Sequence, residues 1–317
     1  MPELPEITVY VEALERFVLG EPLARVRIRS PSLLRTYDPP LSTVHSRTVT
    51  GIRRLGKRIV VAFEDAEPPL FLVLHLMVTG RLRWREPGVT VPGKVGLAAF
   101  DFPGGSLLLT EAGMKKKASL HLVAGEAGLA EHERGGIEPL EADLAAFRDA
   151  ITRENRTLKR ALTDPRILSG IGNAHSDEIL LEARLSPLKR SRDLSEEEVE
   201  RLYESTRRSL AGWTETLRAE VGDAFPEKIT AFHPDMAAHG KYGEPCPRCG
   251  SAIQRIKYAD NETNYCAICQ TGGRLLADRA FSRLLREDWP RSPEELEGML
   301  EEGEAANPSR RHADRRP

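Results

Sequence analysis

The chain has 317 residues and a formal net charge of -2, with 46 basic residues against 48 acidic ones. This balance excludes a strong overall attraction to polyanions, and the length suffices for two domains of ordinary size, each with its own core. No apolar run is as long as a membrane span, and the N-terminus lacks a signal-peptide pattern, so we expect a cytoplasmic protein. Basic residues still cluster locally, which is enough to bind phosphate groups. They are Arg53, Arg54, Lys57, Arg58, Arg81, Arg83, Arg85, Lys115, Lys116, Lys117, Arg184, Lys189, Arg190 and Arg192.

The chain opens with Met-Pro-Glu-Leu-Pro-Glu. Removal of Met1 would leave Pro2 with a free secondary amine, and a terminal amine with a pKa of about 7.7–8.0 is partly unprotonated at neutral pH. Such an amine can attack an electrophilic carbon, and the adjacent Glu3 can supply or accept a proton. The alternative interpretation is structural: the prolines set the entry to a helix, while Glu3 and Glu6 complement its positive end. These six residues alone leave both interpretations open.

A helix and then a set of strands are predicted for the first half of the chain. Ile7, Val11, Leu14 and Val18 follow the spacing of one helical face, and Gly20 stands where that helix would end. Short runs rich in valine, leucine, isoleucine and phenylalanine then alternate with turn residues, which predicts an antiparallel β-sandwich or barrel. The runs are Arg25–Ser30, Thr48–Arg53, Arg58–Glu64, Leu70–Leu76, Arg81–Arg85, Leu97–Phe102, Ser106–Thr110 and Ala118–Val123.

The second half of the chain is predicted to be mainly helical. Leu144, Phe147 and Ile151 fit one helical face, and Ser195 followed by Glu198 three residues later is a capping-box start for a long helix. Before that start, the glycine-rich segment 168–180 forms a turn that opens into another helix. Its backbone N–H groups could hold a phosphate, although a Gly-x-Gly-Asn turn is more often an ordinary connection.

The remaining segments are a glycine-rich stretch and the C-terminus. Residues 125–140 lose the strand pattern and are predicted to form a linker. Near the end we expect a helix over residues 272–288, a short acidic helix that begins near Ser292, and a disordered tail over residues 307–317.

Four cysteines form the strongest local motif. Cys246 and Cys249 make one Cys-x-x-Cys pair, and Cys266 and Cys269 make a second pair after sixteen intervening residues. This spacing fits a closed tetrahedral zinc site with a β-hairpin between the pairs, and redox-active or free thiols are the alternative. Because four thiolates complete the coordination sphere, the single Zn²⁺ ion should be structural.

Five motifs in one fixed order carry a family resemblance. They are the terminal Pro-Glu-Leu-Pro-Glu, Gly-Lys-Arg-Ile at 56–59, His-Leu-Met-Val-Thr-Gly at 75–80, Ile-Gly-Asn at 171–173 and the four-cysteine hairpin. Together they resemble the formamidopyrimidine-DNA glycosylase / endonuclease VIII family of base-excision repair enzymes, from Pro2 to about Gln270. The chain is similar to a divergent member, because several family positions carry other residues.

The resemblance implies an α+β multidomain fold. It would comprise an N-terminal helix on an antiparallel β-sandwich, a helical domain with a helix–two-turns–helix element, and a four-cysteine zinc-finger hairpin. The expected domains are the catalytic β-sandwich, a linker, the helical domain, the zinc finger and a C-terminal extension with a helix and a disordered tail. In the same order, their ranges are 1–130, 131–145, 146–238, 239–272 and 273–317.

The resemblance also implies a bifunctional DNA glycosylase and abasic-site lyase that acts as a monomer on damaged or abasic double-stranded DNA in the bacterial cytosol or nucleoid. A damaged base must leave the stack to be reached. The Pro2 amine would then attack C1′ and form a Schiff base, after which β- and δ-elimination would cut the strand. Glu3 would act as general acid and base, Glu6 would support the terminus, and Lys57 and Asn173 would hold phosphates at the lesion.

Three positions depart from the family pattern. Met77 and Val78 stand where the family has Gly-Met, and if this segment were a strand the one-residue shift of the methionine would turn it to the other face. Residues 111–117 lack the family's Arg-x-Phe. Asn261 occupies the place of an arginine on the zinc hairpin, and an asparagine can hydrogen-bond a phosphate without the charge or the bidentate fork. We therefore expect Met77, Val78 and Asn261 to contact DNA in a modified way.

Two other functions stay open from the sequence. The altered segments are also compatible with an enzyme that is chiefly an abasic-site lyase, or with a glycosylase for a lesion other than 8-oxoguanine. A protein that binds damaged DNA without catalysis is the third possibility, and it gives no reason for a glutamate behind a terminal proline.

Overall fold

The computed structural model describes residues 1–64, 66–258, 261–276, 290–296 and 298–299. The chain divides into two compact units that interleave along the sequence. The first unit comprises Met1–Arg153, Leu162–Gly172 and Thr206–His233, and the second comprises Glu154–Ala161, Asn173–Ser205 and Pro234–Pro317. This division into compact units does not test the predicted domain boundaries, which stay a prediction. In the described residues, no helix combines the length and the apolar character needed to cross a membrane.

The first unit begins with helix α1, Leu4–Val18, whose apolar face is buried as the spacing predicted. Nine strands follow, and all their pairs are antiparallel. They are β1 Pro22–Leu23, β2 Arg25–Ile28, β3 Arg47–Leu55, β4 Arg58–Phe63, β5 Leu70–His75, β6 Gly80–Arg85, β7 Gly96–Phe102, β8 Gly105–Glu111 and β9 Ser119–Ala124. The eight predicted runs correspond to β2 to β9. The two-residue β1 was not predicted, because two residues carry no alternation pattern.

Two sheets enclose the core of the first unit. One has the strand order β1-β3-β4-β5-β9 and the other has the order β2-β7-β8-β6. Leu14 of α1, Leu72 of β5 and Leu109 of β8 belong to one buried cluster, so the helix and both sheets share an apolar core. The expected β-sandwich with an N-terminal helix is therefore present.

The unit also contains helices beyond the sandwich. Helix α2, Gly125–Ala130, lies in the stretch predicted as a linker, and its Leu129 packs on Val60 and Val73 of the five-stranded sheet. Helix α3 spans Leu144–Thr152. Asp143 directly precedes it and caps it by accepting a hydrogen bond from the Ala146 N–H. Helix α4, Leu158–Thr163, begins in the second unit and ends in the first.

The second unit is built on helix α5, Asn173–Ala183, and on the start of helix α6, Glu196–Val221. Residues on nearly all sides of α5 are buried, including Asp177 and Glu178, which explains why its sequence shows little amphipathic pattern. The predicted capping box at α6 is confirmed, because Ser195 and Glu198 exchange side-chain to backbone hydrogen bonds of 2.9 and 3.2 Å.

The zinc-finger hairpin consists of β10, Ile253–Tyr258, and β11, Asn261–Cys266, followed by helix α7, Ala267–Thr271. Gly272 ends α7 in a left-handed conformation. The helix predicted from residue 272 is not formed over residues 272–276, and its continuation over 277–289 lies outside the described residues. Residues 293–296 form the predicted short helical turn, and the tail over 307–317 also lies outside the described part.

Candidate active site and nucleic-acid interface

Glu3 is fixed at the start of α1 by hydrogen bonds to two parts of the first unit. Its backbone N–H donates to Glu6 Oε2 at 2.6 Å, and its own Oε2 accepts the Gly172 N–H at 2.6 Å. The next residue, Leu4, donates its N–H to the Gly170 carbonyl at 2.9 Å. Because Glu3 is only 2% exposed, these bonds hold a buried carboxylate beside the chain end.

Lys57 reaches the same point from the turn between β3 and β4. A Cβ atom placed on Gly172 would lie 2.5 Å from Glu3 Oε1 and 2.5 Å from Lys57 Nζ. The carboxylate and the ammonium therefore converge on the glycine, close enough for a direct electrostatic interaction. Three residues that the sequence analysis singled out separately, Glu3, Lys57 and the glycine of the Ile-Gly-Asn motif, thus form one cluster.

Glu6 is the partner that holds the chain end in place. It is 1% exposed and accepts the Glu3 N–H, which satisfies one of the backbone donors left open at a helix start. Its negative charge also lies at the positive end of α1. The position of Glu6 is therefore compatible both with support of the chain end and with a charge that complements the helix.

The chain end itself is buried. Pro2 is buried, and its nitrogen lies in the peptide bond to Met1. Burial lowers the pKa of the Met1 amino group, Glu3 opposes that shift, and Arg81 reinforces it. The Met1 amino group is thus less protonated at neutral pH than an exposed terminal amine.

A cavity of about 860 Å³ opens beside this cluster within the first unit, and Met1 and Lys57 line it. The rest of its wall comes from the β3–β4 turn, from β5, from residues 132–138 and from residues 163–170. Its size is in the range that holds a small organic group such as a nucleobase.

Residues 76–79 between β5 and β6 form a turn, so the reversal of face that a strand would impose on Met77 does not apply. The turn closes with the Gly80 N–H bonded to the Leu76 carbonyl at 3.0 Å. Met77 has a φ of 54°, in the left-handed region that favours glycine. Val78 follows it with 49% of its surface exposed, and it is the more prominent apolar residue of the turn.

The loop after β8 lies against this turn and contains a residue that the sequence analysis did not single out. The Gly113 N–H donates to Thr79 Oγ1 at 3.3 Å, and the buried Glu111 carboxylate accepts the N–H groups of Lys117 and Ala118. Met114 is fully exposed at the tip, directly before three lysines. The exposed apolar side chain of Met114 and the three lysines after it are adjacent in the sequence, so this pattern could have been noticed there.

In the second unit, Asn173 begins α5 and is bonded to the zinc-finger hairpin. Its Nδ2 donates to the Glu262 carbonyl at 2.8 Å, and its own carbonyl accepts Lys159 Nζ at 2.7 Å. Lys159 also pairs with Asp177, whose other oxygen bonds His239 Nδ1 at 2.8 Å. The asparagine is therefore held by a buried network, and one amide N–H is committed to the hairpin.

The four cysteines gather at the base of the same hairpin. Their sulfur atoms lie within 4.8 Å of one another, and those of Cys249 and Cys266 are 3.4 Å apart. Four thiolates at this spacing fit a tetrahedral zinc ion and leave no position for a reactive water. The backbone of Asn261 starts β11 opposite Tyr258, and the side chain of Asn261 lies outside the described part of the structure.

Comparison with known proteins decides the family. Residues 1–113 match the formamidopyrimidine-DNA glycosylase N-terminal domain, residues 136–218 match its H2TH domain, and residues 243–272 match a zinc finger found in FPG and IleRS. The formamidopyrimidine-DNA glycosylase of Heliobacterium modesticaldum is 31% identical over 283 residues, which are 85% of this chain and 100% of that protein. The chain belongs to the formamidopyrimidine-DNA glycosylase family. The family member from Thermus thermophilus is 32% identical over 285 residues, which are 86% of this chain and 100% of that protein.

Solved structures of the family agree with this assignment. The Lactococcus lactis Fpg bound to DNA containing N7-benzyl-Fapy-dG superposes with a TM-score of 0.75 at 25% identity, over 85% of this chain and 100% of that one. The same protein with DNA containing an oxidized pyrimidine gives a TM-score of 0.73 at 25% identity, with the same coverage. The predicted family, fold class and cofactor are thus confirmed, and the four cysteines bind one structural Zn²⁺.

Proposed function

We propose that this DNA glycosylase is bifunctional, and that it excises a damaged base and then cuts the strand with the amine of Pro2 after Met1 has been removed. Family membership makes the chain a base-excision repair glycosylase. The observation that carries the rest is the convergence of the Glu3 carboxylate, the Lys57 ammonium and the Gly172 N–H beside the chain end. A damaged-DNA binder without catalysis would need no buried carboxylate there.

The proposed chemistry uses the chain's own groups at each step. The unprotonated Pro2 nitrogen bonds to C1′ as the glycosidic bond breaks, and the base leaves with the bonding electrons and takes up the proton that the Pro2 nitrogen loses. Glu3 protonates the sugar ring oxygen, so the ring opens and an iminium forms between Pro2 and C1′. The iminium makes the C2′ hydrogen acidic. Glu3, which is a carboxylate after protonating the ring oxygen, accepts this C2′ proton as the 3′ phosphate leaves. A second elimination expels the 5′ phosphate, and water then hydrolyses the iminium and releases the sugar fragment from Pro2.

The proposed DNA contacts come from residues of both units. Lys57 would neutralise the phosphate next to the lesion, and Asn173 would donate its second amide N–H to a phosphate, since an amide nitrogen carries two donors. Asn261 would add an uncharged contact from the hairpin. On the β5–β6 turn, Val78 rather than Met77 would fill the gap left by the flipped base, because Val78 is the exposed side chain.

Borohydride trapping on an abasic-site duplex tests the proposal directly. Protein with a processed N-terminus is expected to form a covalent adduct with the DNA, and protein that retains Met1 is expected to form none. Mass spectrometry of each preparation identifies its first residue. An adduct of equal yield from the Met1-containing protein would refute the terminal-amine mechanism.

A lesion panel measured beside the trapping defines the substrate. Duplexes with 8-oxoguanine, an oxidised pyrimidine or an abasic site distinguish a broad glycosylase from an enzyme that is chiefly a lyase. Cleavage of the abasic duplex alone would establish the lyase and remove the base-excision step from the proposal. Tight binding of all three duplexes by processed protein without any cutting would instead establish a binding protein.

The pH dependence of adduct formation follows from the buried chain end. The attack needs the unprotonated amine, so the rate rises with pH through the pKa of that amine. Burial lowers the pKa of the Met1 amino group in the unprocessed chain, and we expect the same shift for the Pro2 amine, since Pro2 is buried as well, which moves the rise to lower pH. We expect the midpoint of the rise below the ordinary range of about 7.7–8.0, measured by single-turnover trapping at a series of pH values. A midpoint within or above that range would contradict the assigned environment of the amine.

A further inference from the structure

Arg58 lies next to Lys57 in the chain but reaches a different part of the first unit. It is the first residue of β4, and its cross-strand partner is His75 of β5, which in turn pairs with Ser119 of β9. Lys57 lies in the β3–β4 turn and reaches Glu3 and Gly172, whereas Arg58 begins β4 and donates to the His132 carbonyl. Both cations line the same cavity.

The contacts of Arg58 leave its charge without a counter-ion. Its side chain is half-buried, and its Nη1 donates to the His132 carbonyl at 3.3 Å. Within the part of the chain that the structure describes, no carboxylate lies within 4.0 Å of it. A guanidinium has five N–H donors, and burying it without a counter-charge costs free energy unless an anion completes the site. Arg58 is therefore arranged to receive a negatively charged ligand.

The surrounding groups favour an anion as well. Arg134 also lines the cavity and, like Arg58, forms no ion pair among the described residues. Two of the acidic residues in the wall are already paired, Asp164 with Arg166 and Glu138 with Arg54, and Glu133 is the third. The cations at Arg58 and Arg134 thus exceed the remaining acidic charge.

Three histidines border the site and do not add charge. Burial, together with the nearby Arg58, lowers the pKa of His75 to about 4 and of His132 below its ordinary value. Burial and then His132 lower the pKa of His121 to about 4, and the rings of His121 and His132 lie 4.6 Å apart. At neutral pH these rings are uncharged and can serve only as hydrogen-bond partners, which leaves the arginines as the anion-binding groups.

We infer that Arg58 and Arg134 form a second phosphate-binding subsite in the cavity, which holds a phosphodiester of the lesion strand next to the one at Lys57. This inference rests on the proposed function, because it takes the ligand at Lys57 to be a DNA phosphate. Because Lys57 and Arg58 are consecutive and both line this cavity, they can contact neighbouring phosphates of one strand. The subsite supplies charge for binding and holds the strand in register, without taking part in bond breaking.

The salt dependence of binding tests the subsite with three variants and a control. Replacing Arg58 or Arg134 by glutamine is expected to weaken binding of an abasic-site duplex about tenfold at low salt and to lower the slope of log K against log [salt] by about 1. Arg58→Lys keeps the charge and should keep the slope. Arg29→Gln is the matched control, since Arg29 directly follows β2, is exposed, and donates to the Gly93 carbonyl. Unchanged slopes in both glutamine variants would overturn the inference, and so would an Arg58→Lys slope equal to that of Arg58→Gln.

A methylphosphonate scan locates the contact. Each duplex carries one uncharged phosphate analogue, and we expect one position near the lesion where the wild-type protein loses affinity and the Arg58→Gln variant loses none. The absence of any such position would refute the subsite even if the slopes changed. Cutting of the abasic duplex by the wild-type protein is scored separately. If the scan finds such a position but the protein does not cut, the subsite is supported and the proposed lyase activity is refuted. If the protein cuts but the scan finds no such position, only the subsite is refuted.

Discussion

Glu3→Gln is expected to reduce cutting of an abasic-site duplex at least a hundredfold. General acid–base catalysis by a positioned carboxyl group contributes about 10² to 10⁴ in rate, and glutamine removes the proton that Glu3 would transfer. The replacement keeps the size of the side chain and an oxygen that can accept the Gly172 N–H, the contact that measures 2.6 Å. The helix start should therefore remain in place while the chemistry stops.

Single-turnover cutting rates measure this effect, and the binding constant for the same duplex is measured beside them. Glu15→Gln is the matched control, because Glu15 lies on the same helix with an exposed side chain. It should cut at the wild-type rate. Both variants should unfold within a few degrees of the wild type, and a Glu3→Gln protein that folds normally and cuts at full rate would remove Glu3 from the mechanism.

Local structure in this chain could be predicted because its determinants are close in sequence. The four-residue stripe of α1, the strand runs and the Ser195–Glu198 capping box depend on neighbours a few residues apart, and each is present. The two-strand hairpin between the cysteine pairs follows from ligand spacing, since both pairs must reach one ion. These features need no knowledge of the tertiary structure.

The site could be predicted only as separate residues. The bond between Glu3 and Gly172 joins positions 169 apart in sequence, and no periodicity reports such a contact. The left-handed backbone at Met77 also could not be anticipated, because methionine rarely adopts it and the turn imposes it. Arg58 was only one member of a basic cluster until its surroundings showed that its sole described partner is a backbone carbonyl.

Two of the crossings between the compact units could not be predicted from the sequence. Helices α4 and α6 each begin in one unit and continue into the other, so no linker marks these two crossings along the chain. Composition detects linkers by their turn residues and polarity. A boundary inside a continuous helix has neither signal.

Gly172→Ala is expected to abolish most cutting although it adds only a methyl group. The new Cβ would lie 2.5 Å from both Glu3 Oε1 and Lys57 Nζ and 2.6 Å from Glu3 Cδ, and real Cβ atoms do not approach other atoms that closely. Backbone strain is not the cause, since Gly172 is not among the glycines with positive φ. Lys57 can swing away on its flexible stem. Glu3 has no open space to move into, because its backbone is bonded to Glu6 and it is buried, so the added methyl group forces its carboxylate out of its present position.

The displaced carboxylate would lose its hydrogen bond from the Gly172 N–H and its position beside the terminal amine. A shift of about 1 Å in a catalytic group can cost a hundredfold in rate, so we expect at least that loss in single-turnover cutting. Binding of the abasic duplex should weaken far less, because the phosphate contacts outside the cluster are retained.

Gly212→Ala is the matched control for this substitution. Gly212 lies in α6 with nothing within 4 Å of an added Cβ, so alanine fits there and favours the helix by up to about 1 kcal/mol. It should cut at the wild-type rate and unfold at a slightly higher temperature. If Gly172→Ala also cut at the wild-type rate, the Glu3 carboxylate would not need the position it has in this structure, and the convergence at Gly172 would be packing rather than catalysis.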